Sequence, residues 1–358
     1  MNVLKLSGFL AFLPAVFAHF GASAESLNNS KYEGFSAAPR IVAGQKVEIN
    51  EAPWQAYVVA GKSYCGGIVI AQNYILTAAH CIDAVHGDGD ITRHANSKIK
   101  VFAGFTYRGS VNFNAEAMLV EDAIIYPHYN DKNLRGDLAL IKLASPLPER
   151  VKPITLIQPS QQADLDNEFS SGRQLNLYVS GWGRTGTNSR NDGHLYSTHL
   201  TGIADSQCQW MGEGFPGYAH ICASNPFRAT GTCSGDSGGP LVWQDPNHAG
   251  DSDKGYRAVG IVSFGTSEGC GLTYREDVFT QISTYFSWIN DQIEGGYQDP
   301  MSTFAVDIFN VAERNYPATP LSVKPEQAQA AGGSLNWFSL FALLLFLPCL
   351  KRHRKLTF

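Results

Sequence analysis

Between Ile41 and Ile293 the chain repeats one pattern: a short apolar run rich in β-branched or aromatic residues, then a turn. "QAYVVAG", "GGIVIAQNYILTAA", "IKVFAGF", "DLALIKLASP", "LNLYVSGWG", "GPLVWQ", "RAVGIVSFG" and "DVFTQI" all follow it. Runs of this kind suit strands better than helices, and their spacing predicts an all-β body, either two antiparallel barrels or a sandwich. The 35 glycines fit a chain of many tight turns. One stretch, "STYFSWINDQI" from Ser283 to Ile293, predicts a helix. Ser283 is placed to cap it, and Tyr285, Phe286, Ile289 and Ile293 fall near helical spacing.

The two ends of the chain differ from this body. Lys5 precedes an apolar run from Leu6 to Phe17, and Ala22-Ser23-Ala24 follows, which predicts a signal peptide over 1–24 with Ala18 as the alternative cut. Residues 25–40 are polar without hydrophobic periodicity and end in "APRIVAG". The body then runs over 41–294. A shift to proline, alanine, glutamine and serine over 295–331 predicts a linker, and 332–358 combine Gly332-Gly333, an apolar span and a basic end. Export makes the six cysteines between Cys65 and Cys270 a disulfide framework, although spacing alone leaves many pairings open. The seventh, Cys349, lies in the apolar tail with no obvious partner. A formal charge of −5 argues against nucleic acid as a partner.

Three segments carry chemistry together: "LTAAHC" with His80, "GDLALIKL" with Asp137 and "GDSGGP" with Ser237. A serine hydroxyl needs a base to take its proton, and His80 is a suitable one near neutral pH. Asp137 would fix the imidazole tautomer and stabilise its charged form. The glycines around Ser237 let backbone N–H groups turn toward a reacting carbonyl, so Gly235 and Ser237 are the candidate oxyanion donors. "GDSGG" also fits the nucleophile elbow of α/β-hydrolases, but that fold needs an acid and then a histidine downstream. Only His248, close behind the serine, and His353, in the basic tail, follow.

"IVAG", "TAAHC", "DLALIKL", "GWG" and "GDSGGP", in this order, resemble the chymotrypsin/trypsin family of serine endopeptidases over about Ile41 to Ile293. The resemblance implies two six-stranded antiparallel β-barrels with a C-terminal helix and the site in the cleft between them. By motif it implies His80 as general base, Asp137 as its orienting acid and Ser237 as nucleophile. It also implies the bridges Cys65–Cys81, Cys208–Cys222 and Cys233–Cys270. At the "R-IVAG" junction it implies a zymogen: cleavage after Arg40 by a protease that accepts arginine frees the Ile41 amine, which pairs with Asp236. The alternative is a non-catalytic binding module; dead members usually lose a triad residue, and all three are present here.

Specificity is where the sequence departs from the family it resembles. Trypsin-like members carry an aspartate at the position of Gly231, beside Thr232. On the opposite pocket wall Asp277 takes the place of a glycine, as in a few members of mixed or broad specificity. A carboxylate there would favour a cationic side chain, giving trypsin-like or broad cleavage; the alternative is a neutral, chymotrypsin-like pocket with Asp277 facing solvent. Ser263 and Gly265 match the edge strand that pairs with substrate backbone, and Phe264 replaces a tryptophan of the pocket wall. No metal or cofactor is expected: "HGDGDITRH", from His86 to His94, reads as a solvated loop, and Phe105 stands where the family's calcium loop has an acid.

The apolar run from Leu335 to Leu350 is at the low limit for spanning a bilayer, and "KRHRK" after it would stay cytoplasmic. With Gly332-Gly333 the tail resembles the Gly-Gly C-terminal sorting signal of Gram-negative secreted proteins. That implies removal by a rhomboid-type protease and a secreted or cell-surface product. The alternative is a simple membrane anchor; the basic end argues against a lipid-anchor signal.

Overall fold

The computed structural model describes residues 41–310, apart from 86, 210–216 and 274. The first half forms a curled sheet of β1 (Gln55–Ala60), β2 (Ser63–Ala71), β3 (Tyr74–Thr77), β4 (Ile99–Ala103), β5 (Val120–Ile125) and β6 (Ala139–Leu143). Their antiparallel order is β4-β1-β2-β3-β6-β5. Ile68, Ile75, Val101 and Leu140 from these strands join Trp54 in the core.

The second half contains β7 (Leu177–Gly181), β8 (Tyr196–Ile203), β9 (His220–Ser224), β10 (Pro240–Gln244), β11 (Tyr256–Phe264) and β12 (Asp277–Gln281). They run β8-β9-β12-β11-β10-β7, and β7 pairs back onto β8 to close the ring. The expected six-plus-six arrangement is present, with one difference. The second sheet is a closed barrel, whereas the first is a curled half-barrel whose outer strands share no ladder among the described residues.

Among the described residues three α-helices flank the sheets: α1 (Ala79–Ile82), α2 (Gln162–Ser171) and α3 (Ile282–Gln292). The predicted helix is α3, but Ser283 does not cap it. Ser283 lies inside the helix, buried, and its Oγ donates to Gln162 Oε1 at 2.5 Å, so the hydroxyl ties α3 to the start of α2. Ile293 is the C-cap residue rather than part of the helix.

The chain continues past α3 as an extended strap over the body. Tyr297, Ser302, Phe304 and Ile308 are buried, and Tyr297 Oη accepts the Leu156 N–H at 2.9 Å. Phe304 packs edge-on to Trp54 with centroids 4.9 Å apart. Tyr256 Oη donates to Val306 O and accepts from the Ile308 N–H, each at 3.0 Å. Residues 297–309, inside the stretch expected to be a linker, are therefore packed. No helix among the described residues is long and apolar enough to cross a membrane, and the expected signal peptide and tail lie outside those residues.

Candidate active site

His80 rides on the one-turn helix that follows β3, and Asp137 sits just ahead of β6. The two strands are neighbours in the first sheet, which brings the residues together. Asp137 Oδ1 accepts the His80 backbone N–H at 2.9 Å, and Oδ2 is 2.7 Å from His80 Nδ1. Oδ2 also accepts Ser263 Oγ at 2.5 Å. Burial works against ionisation of Asp137, but the His80 charge and the hydrogen bonds from His80 and Ser263 outweigh it and leave the pKa below the usual value. An ionised carboxylate can only accept, so Nδ1 of His80 carries the proton and Nε2 of the neutral ring is left as base. Burial likewise opposes a charged His80, yet the charge and hydrogen bond of Asp137, with the charge of Asp83, raise its pKa overall.

Ser263 was expected only as a substrate-pairing residue; its bond to Asp137 is additional. β11 and β12 pair Val262 with Phe279 and then Phe264 with Val278, so Ser263 is the extra residue of a bulge. A bulge re-aims a side chain, here toward Asp137. No local signal in the sequence marks it.

The Ser237 loop is held from several sides. Ser237 O accepts the Gly66 N–H at 2.7 Å, and Gly238 N–H donates to Val262 O at 2.7 Å. The expected disulfides Cys65–Cys81, Cys208–Cys222 and Cys233–Cys270 are all formed. The first lies between the two candidate residues: Cys81 Sγ is 3.8 Å from His80 Nε2 and 3.6 Å from Ser237 O. The N–H groups of Gly235 and Ser237 are not taken up by any described residue. Gly235 has φ +101°, a left-handed conformation that glycine adopts freely.

Asp236 is fully buried behind this loop. Its oxygens accept the Gly183 N–H at 2.7 Å and the Cys233 N–H at 2.9 Å, with no cation among the described residues against it. Burial pushes its pKa up to about 7, partly opposed by those two N–H groups, with the Asp277 charge adding to the rise. The "GWG" motif supplies the room: a Cβ on Gly181 or Gly183 would fall 2.1 or 2.5 Å from this carboxyl. Ile41 is fully buried with φ +23°, unusual for a β-branched residue. Val42 packs beside Gly271.

A cavity of about 220 Å³ opens beside Ser237 and brings Thr232, Ser263, Phe264, Gly265 and Asp277 to its walls. Asp277 is partly open to it, and Oδ2 accepts the Thr232 N–H at 2.6 Å. A Cβ on Gly231 would lie 2.6 Å from the same oxygen, so the Asp277 carboxyl occupies the space that a side chain at 231 would take. Burial raises the Asp277 pKa to about 7 against the pull of its bonds with Thr232. Its neighbour Glu276 is buried elsewhere, with Oε1 accepting Gln209 Nε2 at 3.1 Å. Asp277 is thus the wall residue that faces the cavity.

Metal-ligand types meet among the described residues at Cys65, His80 and Cys81. The two sulfurs are bonded to each other and the imidazole is engaged by Asp137, so this group does not offer a ligand set. In the 86–94 loop the N–H groups of Gly87 and Gly89 both donate to Asp131 Oδ2, a backbone clasp.

One closed barrel, one curled half-barrel and a His–Asp pair beside a glycine-flanked serine define a chymotrypsin-like serine protease fold. A family model for trypsin matches residues 41–289, and the chain belongs to that family of serine proteases. It is 30% identical to duodenase-1 of Bos taurus over 71% of this chain and 89% of that protein. It is 31% identical to CLIP domain-containing serine protease B4 of Anopheles gambiae, over 75% of this chain and 74% of that one. With transmembrane protease serine 5 of Homo sapiens it shares 32% identity over 74% of this chain and 54% of that protein.

Proposed function

We propose that the chain is an exported serine endopeptidase, made as a zymogen, that hydrolyses peptide bonds through Ser237, His80 and Asp137. The observation that carries this reading is the His80–Asp137 pair, with Nε2 left as base on the side of the disulfide that Ser237 also touches. His80 takes the Ser237 proton as Oγ attacks the scissile carbonyl, then gives it to the leaving amine. Water repeats the sequence in reverse on the acyl-enzyme. Asp137 stabilises the imidazolium that forms, and the untaken N–H groups of Gly235 and Ser237 receive the oxyanion.

Activation follows cleavage after Arg40. The buried Ile41 and the Asp236 carboxyl without a cation support it, since a buried carboxylate gains most from a partner charge. Asp277 selects cationic side chains in the pocket, giving trypsin-like or broad specificity, on the strength of its place opposite Gly231. The leader and the Gly-Gly tail make the product secreted or cell-surface, with a membrane protease processing the tail.

The test is fluorophosphonate labelling of the full chain before and after cleavage at Arg40. Labelling is expected at Ser237 of the cleaved chain and to be much weaker before cleavage. A cleaved, folded chain that does not label at Ser237 would rule out the enzyme reading.

A further inference from the structure

The loop from Ala84 to Arg93 has no part in the reaction proposed above, yet it leaves the end of the one-turn helix that carries His80. Its outer face is exposed, as expected of a solvated loop, while Asp83 at its base is only 3% exposed. Hydrogen bonds fold the loop back on itself. Ala84 N–H donates to Thr92 O at 2.6 Å, and His94 N–H to Ile82 O at 2.9 Å. Near its tip the buried Asp131 takes the Gly87 and Gly89 N–H groups on Oδ2, at 3.0 and 2.8 Å.

Asp83 is the acid that this fold-back seals. Its Oδ1 accepts the Thr92 N–H at 3.0 Å, with the Val85 N–H at 3.5 Å. Oδ2 is buried and accepts no hydrogen bond from a described residue, and no described cation pairs with the carboxyl. Arg93, bridged to Asp83 through the backbone, turns its guanidinium to His94 O and Asn96 Oδ1 instead. A buried carboxylate oxygen without a donor is costly, and such atoms collect where a charge serves a reaction.

The charge has a receiver close by in the His80 ring. Residues three apart on a helical turn share one face, and the Asp83 N–H closes this turn on Ala79 O at 3.0 Å. Burial opposes a charged His80 and Asp137 overcomes it; Asp83 acts in the same direction as Asp137. Tyr129, itself buried, feels the same acids: its hydroxyl is pushed up by burial first, then by Asp137, Asp83 and Asp131. The titratable groups around the imidazole are thus these three acids and Tyr129. Asp137 holds the ring by a hydrogen bond, whereas Asp83 acts through space.

We propose that Asp83 is a positioning residue that acts through His80, a second carboxylate kept dry by the 84–93 loop that stabilises the imidazolium formed as Ser237 reacts. This rests on the protease reading for its catalytic sense, but the influence on His80 is separable from it. Asp137 fixes the tautomer and direction of the ring. Asp83 contributes charge alone, and the low dielectric beneath the loop carries it to the ring.

The readout is the rate at which a dialkyl fluorophosphonate, which needs no side chain in the Asp277 pocket, labels Ser237 of the full chain cleaved after Arg40. It is followed from about pH 5 to about pH 9, across the titration of a histidine. Asp83→Asn keeps the shape and an acceptor for Thr92 and removes the charge. Above the midpoint it should label roughly three- to tenfold more slowly. Its midpoint should move to lower pH, so that the two profiles converge in acid; a merely structural defect would slow labelling at every pH. Asp83→Ala should displace the midpoint equally, because it loses the same charge. Asp131→Asn keeps the clasp and should leave the midpoint in place. Asp131→Ala releases Gly87 and Gly89, lets water reach Asp83, and should lower the midpoint. The His80 ring signals, followed by NMR against pH in the Ser237→Ala chain, should show the same fall with Asp83→Asn and need no reaction.

A chain that labels, but whose midpoint stays in place in the Asp83 variants, overturns the proposal and spares the protease reading. A chain that never labels at Ser237, while its His80 titration still falls with Asp83→Asn, does the reverse. An Asp131→Asn midpoint that moves as far as that of Asp83→Asn also overturns the proposal, since any lost negative charge would then serve. So does an Asp131→Ala chain that behaves like Asp131→Asn, because the loop would then not keep Asp83 dry.

Discussion

Asp277 faces its cavity with the Thr232 backbone N–H as hydrogen-bond donor and without a cation, and burial holds its pKa at about 7. On the proposed specificity, the ionised carboxyl would draw a lysine or arginine side chain, and the protonated one would leave a neutral wall that accepts an aromatic one. The ratio of kcat/KM for Arg to that for Phe substrates should therefore rise about a hundredfold from pH 6 to 8, as the ratio of ionised to protonated carboxyl grows from about 0.1 to about 10. Taking the ratio cancels the titration of His80, which both substrates share. Asp277→Asn should remove most Arg cleavage and flatten the profile. A ratio that stays constant with pH, or survives the substitution, would show that the carboxyl does not read the substrate. Much of this was legible from motifs, because His80, Asp137, Ser237 and Asp236 each sit in a short stretch whose local conformation sets their direction. Asp277 was legible only as an acid where a glycine was expected. Ser263's bond to Asp137 was not, since it arises from a bulge between β11 and β12 that aims the side chain at a residue 126 positions away.

Nine of the twelve described barrel strands lie in the apolar runs read from the sequence, whereas β5, β8 and β9 were not singled out because polar residues interrupt their apolar ones. Two further elements have still less such pattern. In α2 only Leu165 and Phe169 are buried, an i,i+4 pair on an otherwise polar helix that ends on Gly172 with φ +77°. The pair and its glycine stop were visible signals, outweighed by the polar composition around them. The strap has no periodicity, because an extended segment takes its order from the groove it fills. Tyr297, Phe304 and Ile308 are the apolar residues that fill it. Phe304→Ala should then cost about 3–5 kcal/mol of stability, read as a lowered midpoint in urea. The folded fraction should keep its activity, since Phe304 packs on Trp54 and Tyr256. An unchanged midpoint would mean that the strap is only laid on the surface.

Across the whole molecule, Asp236 and Asp277, whose pKa values burial raises, make stability depend on pH. Asp236 and Asp277 have folded pKa values of about 7, against about 3.9 for an unfolded aspartate. The folded chain therefore holds more protons between roughly pH 4 and 7, and its stability falls as pH rises through that window. Asp137 does not act there: its lowered pKa supplies stability that is lost only as pH falls below the ordinary carboxylate value. His80, with its raised pKa, gives stability that is lost as pH rises above about 6.5, in the same direction as the two acids. On the proposed activation, cleavage after Arg40 would change one member of this set, because a charged Ile41 amine beside Asp236 would return that carboxyl to its ionised form. The uncleavable Arg40→Gln chain should thus lose stability from pH 5 to 8 more steeply than the cleaved chain. The difference should be on the order of 3 kcal/mol, because about two of the three pKa units at this one site act between pH 5 and 8. Urea unfolding of both forms at the two pH values measures it. Parallel slopes would mean that the new amine does not reach Asp236, and activation would then need another route to ordering the Ser237 loop.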